Sequence, residues 1–243
     1  MFQWAFGTKL SKEYEVFFDI SFFNQNFEET LTTRRSFFLD DIIKNKIKTP
    51  DIQAINSISN LYFHNIVDDF SFFNPVIRSD QNYIFNGYWQ SEKYFMEIKD
   101  EILDSLVLPS IRDLDFSNSC SIHVRRGDYL KAQHVHPIQS IDYYNKALDI
   151  IQPKGKIFIF SDDIEWCKIN FDYNNVIFMK NNTSTQDLKI MSLCKDNIIA
   201  NSSFSWWGAW LNQNKNKRVV CPKNWFADST NDSDIKPLSW IQI

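Results

Sequence analysis

From about residue 120 onward, short apolar runs recur at intervals of roughly twenty residues with helical patterns between them, a rhythm of strand, helix and loop that fits βαβ units. The runs lie at 121–124, 157–160, 176–179, 198–200 and 218–221. Consecutive units of this kind build a parallel sheet with helices on its faces, so the fold class is α/β. Ligands on such sheets sit beyond the carboxyl ends of the strands. Arg125, Arg126, Ser161, Asp162, Asn201, Ser202 and Ser203 all follow directly on these runs and should therefore meet along one edge. The first hundred residues are less regular, with strands expected at 15–20 and 83–85 and helices at 51–64 and 92–105.

One junction carries most of the chemistry. Cys120-Ser-Ile-His-Val-Arg-Arg-Gly-Asp-Tyr129 runs from an apolar strand straight into paired arginines, a glycine and a carboxylate. Arginine presents five N–H donors in a rigid fork that matches two phosphate oxygens, so the pair suits a diphosphate. Gly127 lets the backbone turn and approach a ligand closely. With a net charge of −4, the chain has no basic field for nucleic acid or an anionic membrane surface, so a bound phosphate has to be held by this local cluster. Asn201, Ser202, Ser203 and Ser205 form a polar turn entering a helix, whose free N–H groups also attract phosphate. Trp206, Trp207 and Trp210 follow at helical spacing, a pattern that fits core better than a sugar platform.

Cys120, Cys167, Cys194 and Cys221 are scattered, without a Cys-x-x-Cys pair, which indicates neither a zinc site nor a disulfide framework and fits a reducing cytosol. No apolar run reaches the roughly 18 residues of a membrane span, and no signal peptide opens the chain. The expected location is cytoplasmic, with the inner face of the membrane as a peripheral station.

Three ordered segments, His123-Val-Arg-Arg-Gly-Asp-Tyr129, Phe160-Ser-Asp-Asp163 and Ile199-Ala-Asn-Ser-Ser-Phe-Ser-Trp-Trp-Gly-Ala-Trp210, resemble the motifs of the bacterial α1,2-fucosyltransferases, glycosyltransferase family 11. Further matches lie at Asn86-Gly-Tyr-Trp-Gln-Ser-Glu-Lys-Tyr-Phe95 and Phe2-Gln-Trp-Ala-Phe-Gly7. The resemblance implies a GT-B-like fold of two Rossmann-like domains facing a cleft, an acceptor-side domain at 1–109 and a GDP-fucose-binding domain at 110–243. Family members usually begin with an apolar strand and a glycine-rich turn, whereas this chain opens inside the motif that follows them. The N-terminal domain is therefore expected to be incomplete, and the count of five glycines agrees.

The same resemblance implies an inverting enzyme that moves L-fucose from GDP-fucose to the 2-hydroxyl of a galactoside in a glycan precursor, with no metal and no further cofactor. Arg125 and Arg126 would meet the charge that grows on the departing diphosphate, although one of the two could be structural. Asp128, the nearest carboxylate in sequence, could be the general base or could fix Arg126 or the turn. His123 could bond the guanosine part, orient Arg125, or simply be a satisfied core residue. Asp187 could accept both N–H donors of the guanine edge or act as an N-cap or first-turn acid, and Asp162 faces the same choice between nucleotide and helix cap. Ser161, Asn201, Ser202, Ser203 and Ser205 complete the expected donor contacts. Two other readings stay open: a fucosyltransferase of different linkage, such as α1,6, and an inactive remnant that binds only nucleotide or glycan.

Overall fold

The computed structural model describes residues 1–24, 37–51, 62–112 and 114–243. The chain divides into two compact units, 1–107 with 233–235, and 108–232 with 236–243.

In the first unit, α1 (Phe2–Leu10), α2 (Ser21–Asn24) and α3 (Lys99–Ser105) accompany a two-stranded parallel sheet of β1 (Phe63–Val67) and β2 (Asn82–Asn86). Its core is aromatic: Phe6 packs on Phe85, Trp89 and Tyr94 at ring separations of 5.5, 4.9 and 4.9 Å. The expectations for this half need correcting in three places. Residues 15–20 do not form a strand; they alternate in burial, but Phe18 is joined to Lys48 by one backbone bond rather than a ladder. Most of the helix expected at 51–64 lies outside the described residues, and its last two positions open β1. The helix expected at 92–105 is broken into two single 3-10 turns, Glu92–Tyr94 and Met96–Ile98, before α3 begins.

The second unit is the sheet that the sequence rhythm foretells. Strands β3 (Cys120–Val124), β4 (Ile157–Ser161), β5 (Val176–Phe178), β6 (Asp196–Ile198), β7 (Val219–Cys221) and β8 (Ile241–Gln242) are all parallel, in the order β5-β4-β3-β6-β7-β8. Every residue of β3 is buried, as a central parallel strand covered on both faces requires. Helices α4 (Ile141–Ile151), α5 (Ile164–Asn170), α6 (Ser184–Leu193) and α7 (Ser203–Trp210) fill the crossovers. The Ser140 hydroxyl caps α4 by accepting the Tyr143 N–H, and Thr183 with Gln186 closes a reciprocal capping box on α6. Tyr144, Ala147 and Ile151 of α4 pack onto Ile122, Val124 and Ile159 to form the main core.

The tryptophans are core, as expected. Trp206 is fully buried, and its ring lies 5.2 Å from Trp207, 6.0 Å from Trp210 and 5.5 Å from Trp240. Gly208 allows α7 to lie against α6, because a Cβ there would meet Met191 Cβ at 2.9 Å. The four cysteines are buried free thiols. Among the described residues, no helix is long and apolar enough to cross a membrane.

The chain leaves β3 for β4 and β5 on one side, then returns to place β6 on the other side of β3. Between β3 and β6 the strand order reverses, which makes their carboxyl ends the switch point where open α/β sheets bind ligands.

Candidate functional site

Register builds the site. Val124 pairs with Ser161, so β3 and β4 end flush and their next residues emerge side by side. Arg125 Nη2 lies 2.7 Å from Asp128 Oδ1, and its Nη1 lies 3.0 Å from Asp162 Oδ2. Arg126 donates from Nε to Asp163 Oδ2 at 2.9 Å, and its guanidinium sits 4.3 Å over the Trp166 ring. The backbone N–H of Arg126 donates to Asp162 Oδ1 at 2.9 Å. Two cations and three carboxylates thus interlock across the strand ends.

These contacts separate the two arginines. Arg126 is braced by a carboxylate and an indole face and holds α5 to the sheet edge. Arg125 lies over the Tyr129 ring at 5.5 Å, and its side chain is 23% exposed. Two sequence expectations change accordingly. Asp128 pairs with Arg125 and not with Arg126. Asp162 is not the cap of the following helix; Asp163 is, accepting the Trp166 N–H at 3.2 Å while Arg126 holds its carboxyl below the usual carboxylate range. Ser161 shapes the same turn, its hydroxyl accepting the Asp163 N–H at 2.9 Å. Asp163 and Trp166 were missed as site-forming residues. The signal for Asp163 was its place directly before the helix, where a cap belongs.

His123 is 6% exposed, with its ring 5.7 Å from Phe204 of α7 and its Nδ1 buried without a hydrogen-bond partner. Burial, with the Arg125 charge adding to it, pushes its pKa from 6.5 down to about 3, so the imidazole is neutral in the folded protein at ordinary pH. The unfolded chain takes up this proton below its own pKa of 6.5 while the folded one does not. Stability is therefore complete above pH 6.5 and falls with pH until about 3, by on the order of 1.4 kcal/mol per unit. Urea unfolding at pH 6.5 and pH 5.0 should show wild type losing about 2 kcal/mol more than His123→Gln. Equal losses would mean that the imidazole is hydrated.

Across the switch point, Asn201 is buried. Its Nδ2 donates to the Trp225 carbonyl at 3.0 Å, its Oδ1 accepts from Gln139 Nε2 at 3.1 Å, and its carbonyl accepts the Tyr129 hydroxyl at 2.9 Å. Tyr129, stacked on His136 at 4.7 Å, thus ties the arginine loop to the α7 turn. Ser202 occupies the N-cap of α7 without making a side-chain cap bond, the first turn carries no acid, and Ser203 opens the helix. The side chain of Asn201 is committed to shaping this turn. Ser205 is corrected more firmly: it is fully buried, and its hydroxyl donates to the Ser202 carbonyl at 3.2 Å, so it braces the turn from beneath.

Asp187 is not a cap, a place Thr183 holds; it sits in the first turn of α6 and accepts the Asn182 amide at 2.8 Å. Burial raises its pKa against that bond. Among the described residues, no three His, Cys, Asp or Glu side chains gather as a metal cage.

The family model for Glycosyl transferase family 11 matches residues 8–243. The chain belongs to glycosyltransferase family 11. Similar proteins include an alpha-1,2-colitosyltransferase of Escherichia coli, 36% identical over 181 residues, which covers 65% of this chain and 62% of that one. The O-antigen biosynthesis glycosyltransferase WbnK of Escherichia coli is 41% identical over 137 residues, 52% of this chain and 45% of its own. More distant is the galactoside alpha-(1,2)-fucosyltransferase 1 of Bos taurus, 29% identical over 106 residues, 39% of this chain and 29% of its own. The matched stretch of this family 11 chain thus spans about half the length of the two bacterial relatives.

Proposed function

We propose that this family 11 glycosyltransferase is an inverting, metal-independent enzyme that moves L-fucose from GDP-fucose to the 2-hydroxyl of a terminal galactoside in a cell-surface glycan precursor. The observation that carries the reading is the Arg125–Arg126 pair at the carboxyl end of β3, beside the switch point and tied by Tyr129 to the turn that opens α7. Breaking the sugar–phosphate bond leaves growing negative charge on the diphosphate. Fixed cations and helix N–H groups that need no reorganisation lower that barrier, each such contact by roughly 3 to 4 kcal/mol. In this reading Arg125 meets the diphosphate, Arg126 holds the edge in register, and Ser202 and Ser203 offer the α7 end to a phosphate oxygen. His123, Ser161, Asp162, Asp187 and Asn201 shape or contact the donor site.

The reading further assigns 110–243 to the donor and 1–109 to the acceptor in a GT-B arrangement, and places the protein in the cytoplasm at the inner membrane face, where such precursors are built. The α1,2 linkage and the deoxyhexose class draw support from the names of the relatives. One of those names also favours a second reading, a colitosyl donor.

The test is incubation of the chain with lactose and either donor, followed by linkage analysis of the product. A product fucosylated at the 2-hydroxyl of galactose is expected. An α1,6 product would reassign the linkage, transfer from the colitosyl donor alone would favour the second reading, and GDP binding without any transfer would leave a binding protein.

A further inference from the structure

Arg125 is held by two carboxylates, one on each terminal nitrogen: Asp128 at 2.7 Å and Asp162 at 3.0 Å. A diphosphate that engages the same fork in bidentate fashion has to displace one of them, since both compete for the same pair of donors. The two are not equally replaceable. The second oxygen of Asp162 accepts the Arg126 backbone N–H, and its carboxyl packs so closely on Gly127 that a Cβ there would lie 2.7 Å from Oδ2. Asp128 lies past that glycine, on a single 3-10 turn (Asp128–Lys131), and its side chain is 32% exposed against 25% for Asp162. The local charge points the same way. Three carboxylates around two guanidiniums leave an excess of negative charge, which repels an incoming diphosphate until one carboxylate swings out.

Building on the nucleotide-sugar reading above, we propose that Asp128 is a placeholder for the donor diphosphate: it holds Arg125 in position, yields Nη2 to a phosphate oxygen when donor binds, and then serves as the proton acceptor for the glycan hydroxyl. In the transfer step the C1–O bond to the β-phosphate breaks, and its electron pair leaves on the phosphate oxygen. The acceptor oxygen bonds to C1, and its proton passes to the Asp128 carboxylate and from there to solvent. Donor loading thereby frees the base, so the carboxylate becomes available only once there is a sugar to transfer.

The experiment is a comparison of wild type and Asp128→Asn, by calorimetric titration with GDP and by transfer kinetics with GDP-fucose and lactose. The variant should bind GDP several-fold more tightly, because the competing charge is gone, while kcat falls by about 10²-fold or more for want of the base. Weaker GDP binding in the variant would overturn the proposal and make Asp128 a strut for Arg125, and an unchanged kcat would overturn its role as base. Asp128→Ala, which removes the side-chain bond altogether, should repeat the pattern. Asp162→Asn should differ by weakening GDP binding, because that carboxylate is an anchor; tighter binding there would assign the exchange to the wrong carboxylate. Failure of wild type to bind GDP at all would instead bring down the nucleotide-sugar reading beneath it.

Discussion

Arg125→Lys should lower kcat by about 10²- to 10³-fold while leaving the thermal melt near that of wild type. Lysine keeps the positive charge but loses the planar fork, so it cannot meet two phosphate oxygens at once or hold Asp128 and Asp162 on separate nitrogens. The residue lies past the end of β3 with its side chain partly exposed, so the core beneath it is untouched. Steady-state kinetics paired with a melt followed by circular dichroism reads both halves of the expectation. Near-normal turnover would remove Arg125 from the chemistry and leave it as one more surface ion pair, a contact of the kind that contributes ~1 kcal/mol or less.

Trp206→Ala should cost about 3 to 5 kcal/mol of stability, the largest loss expected from any single substitution in the second unit. The indole is fully buried among three other tryptophans, and α7 cannot collapse inward because Gly208 already sets it hard against Met191. The cavity would lie beneath the helix that Ser202 precedes as N-cap and Ser203 opens, so transfer activity should fall with stability. Urea denaturation reads the effect as a lower midpoint at unchanged slope. A loss below about 1 kcal/mol would mean that the ring is not part of the packed core.

The second unit was legible because a parallel strand covered on both faces reads as a mostly apolar run: β4 begins with four apolar residues, and β3 interleaves Cys120, Ile122 and Val124 with Ser121 and His123. Their common end then follows from register alone, which is why the arginine edge could be foreseen. β6 was read two residues late because its first positions are polar. Asp196 is buried against Arg218 at 2.7 Å, and Asn197 donates to Ser121 and to the Met191 carbonyl. Arg218 and Ser121 lie 22 and 76 residues away, and nothing local shows that they will offset the cost of burying a carboxylate and an amide.

The first unit was harder for a related reason. β1 and β2 carry Asn65, Asn82 and Asn86 on exposed positions and pair across a long connection, so neither composition nor a hairpin signal marks them as neighbours. At the site, the carboxylates stand where the sequence places them, but which cation each one pairs with was not readable from it. Asp128 pairs with Arg125, and Asp163, not Asp162, caps the following helix, because the ion pairs depend on where two strand ends face each other and not on nearness along the chain.

Calorimetric titration of GDP into wild type and Arg125→Ala, side by side, bears most directly on the claim that this strand end receives a nucleotide diphosphate. Binding to wild type that weakens by at least tenfold in the variant is the expected result. Equal affinity in the two proteins, or no heat from either, would contradict it.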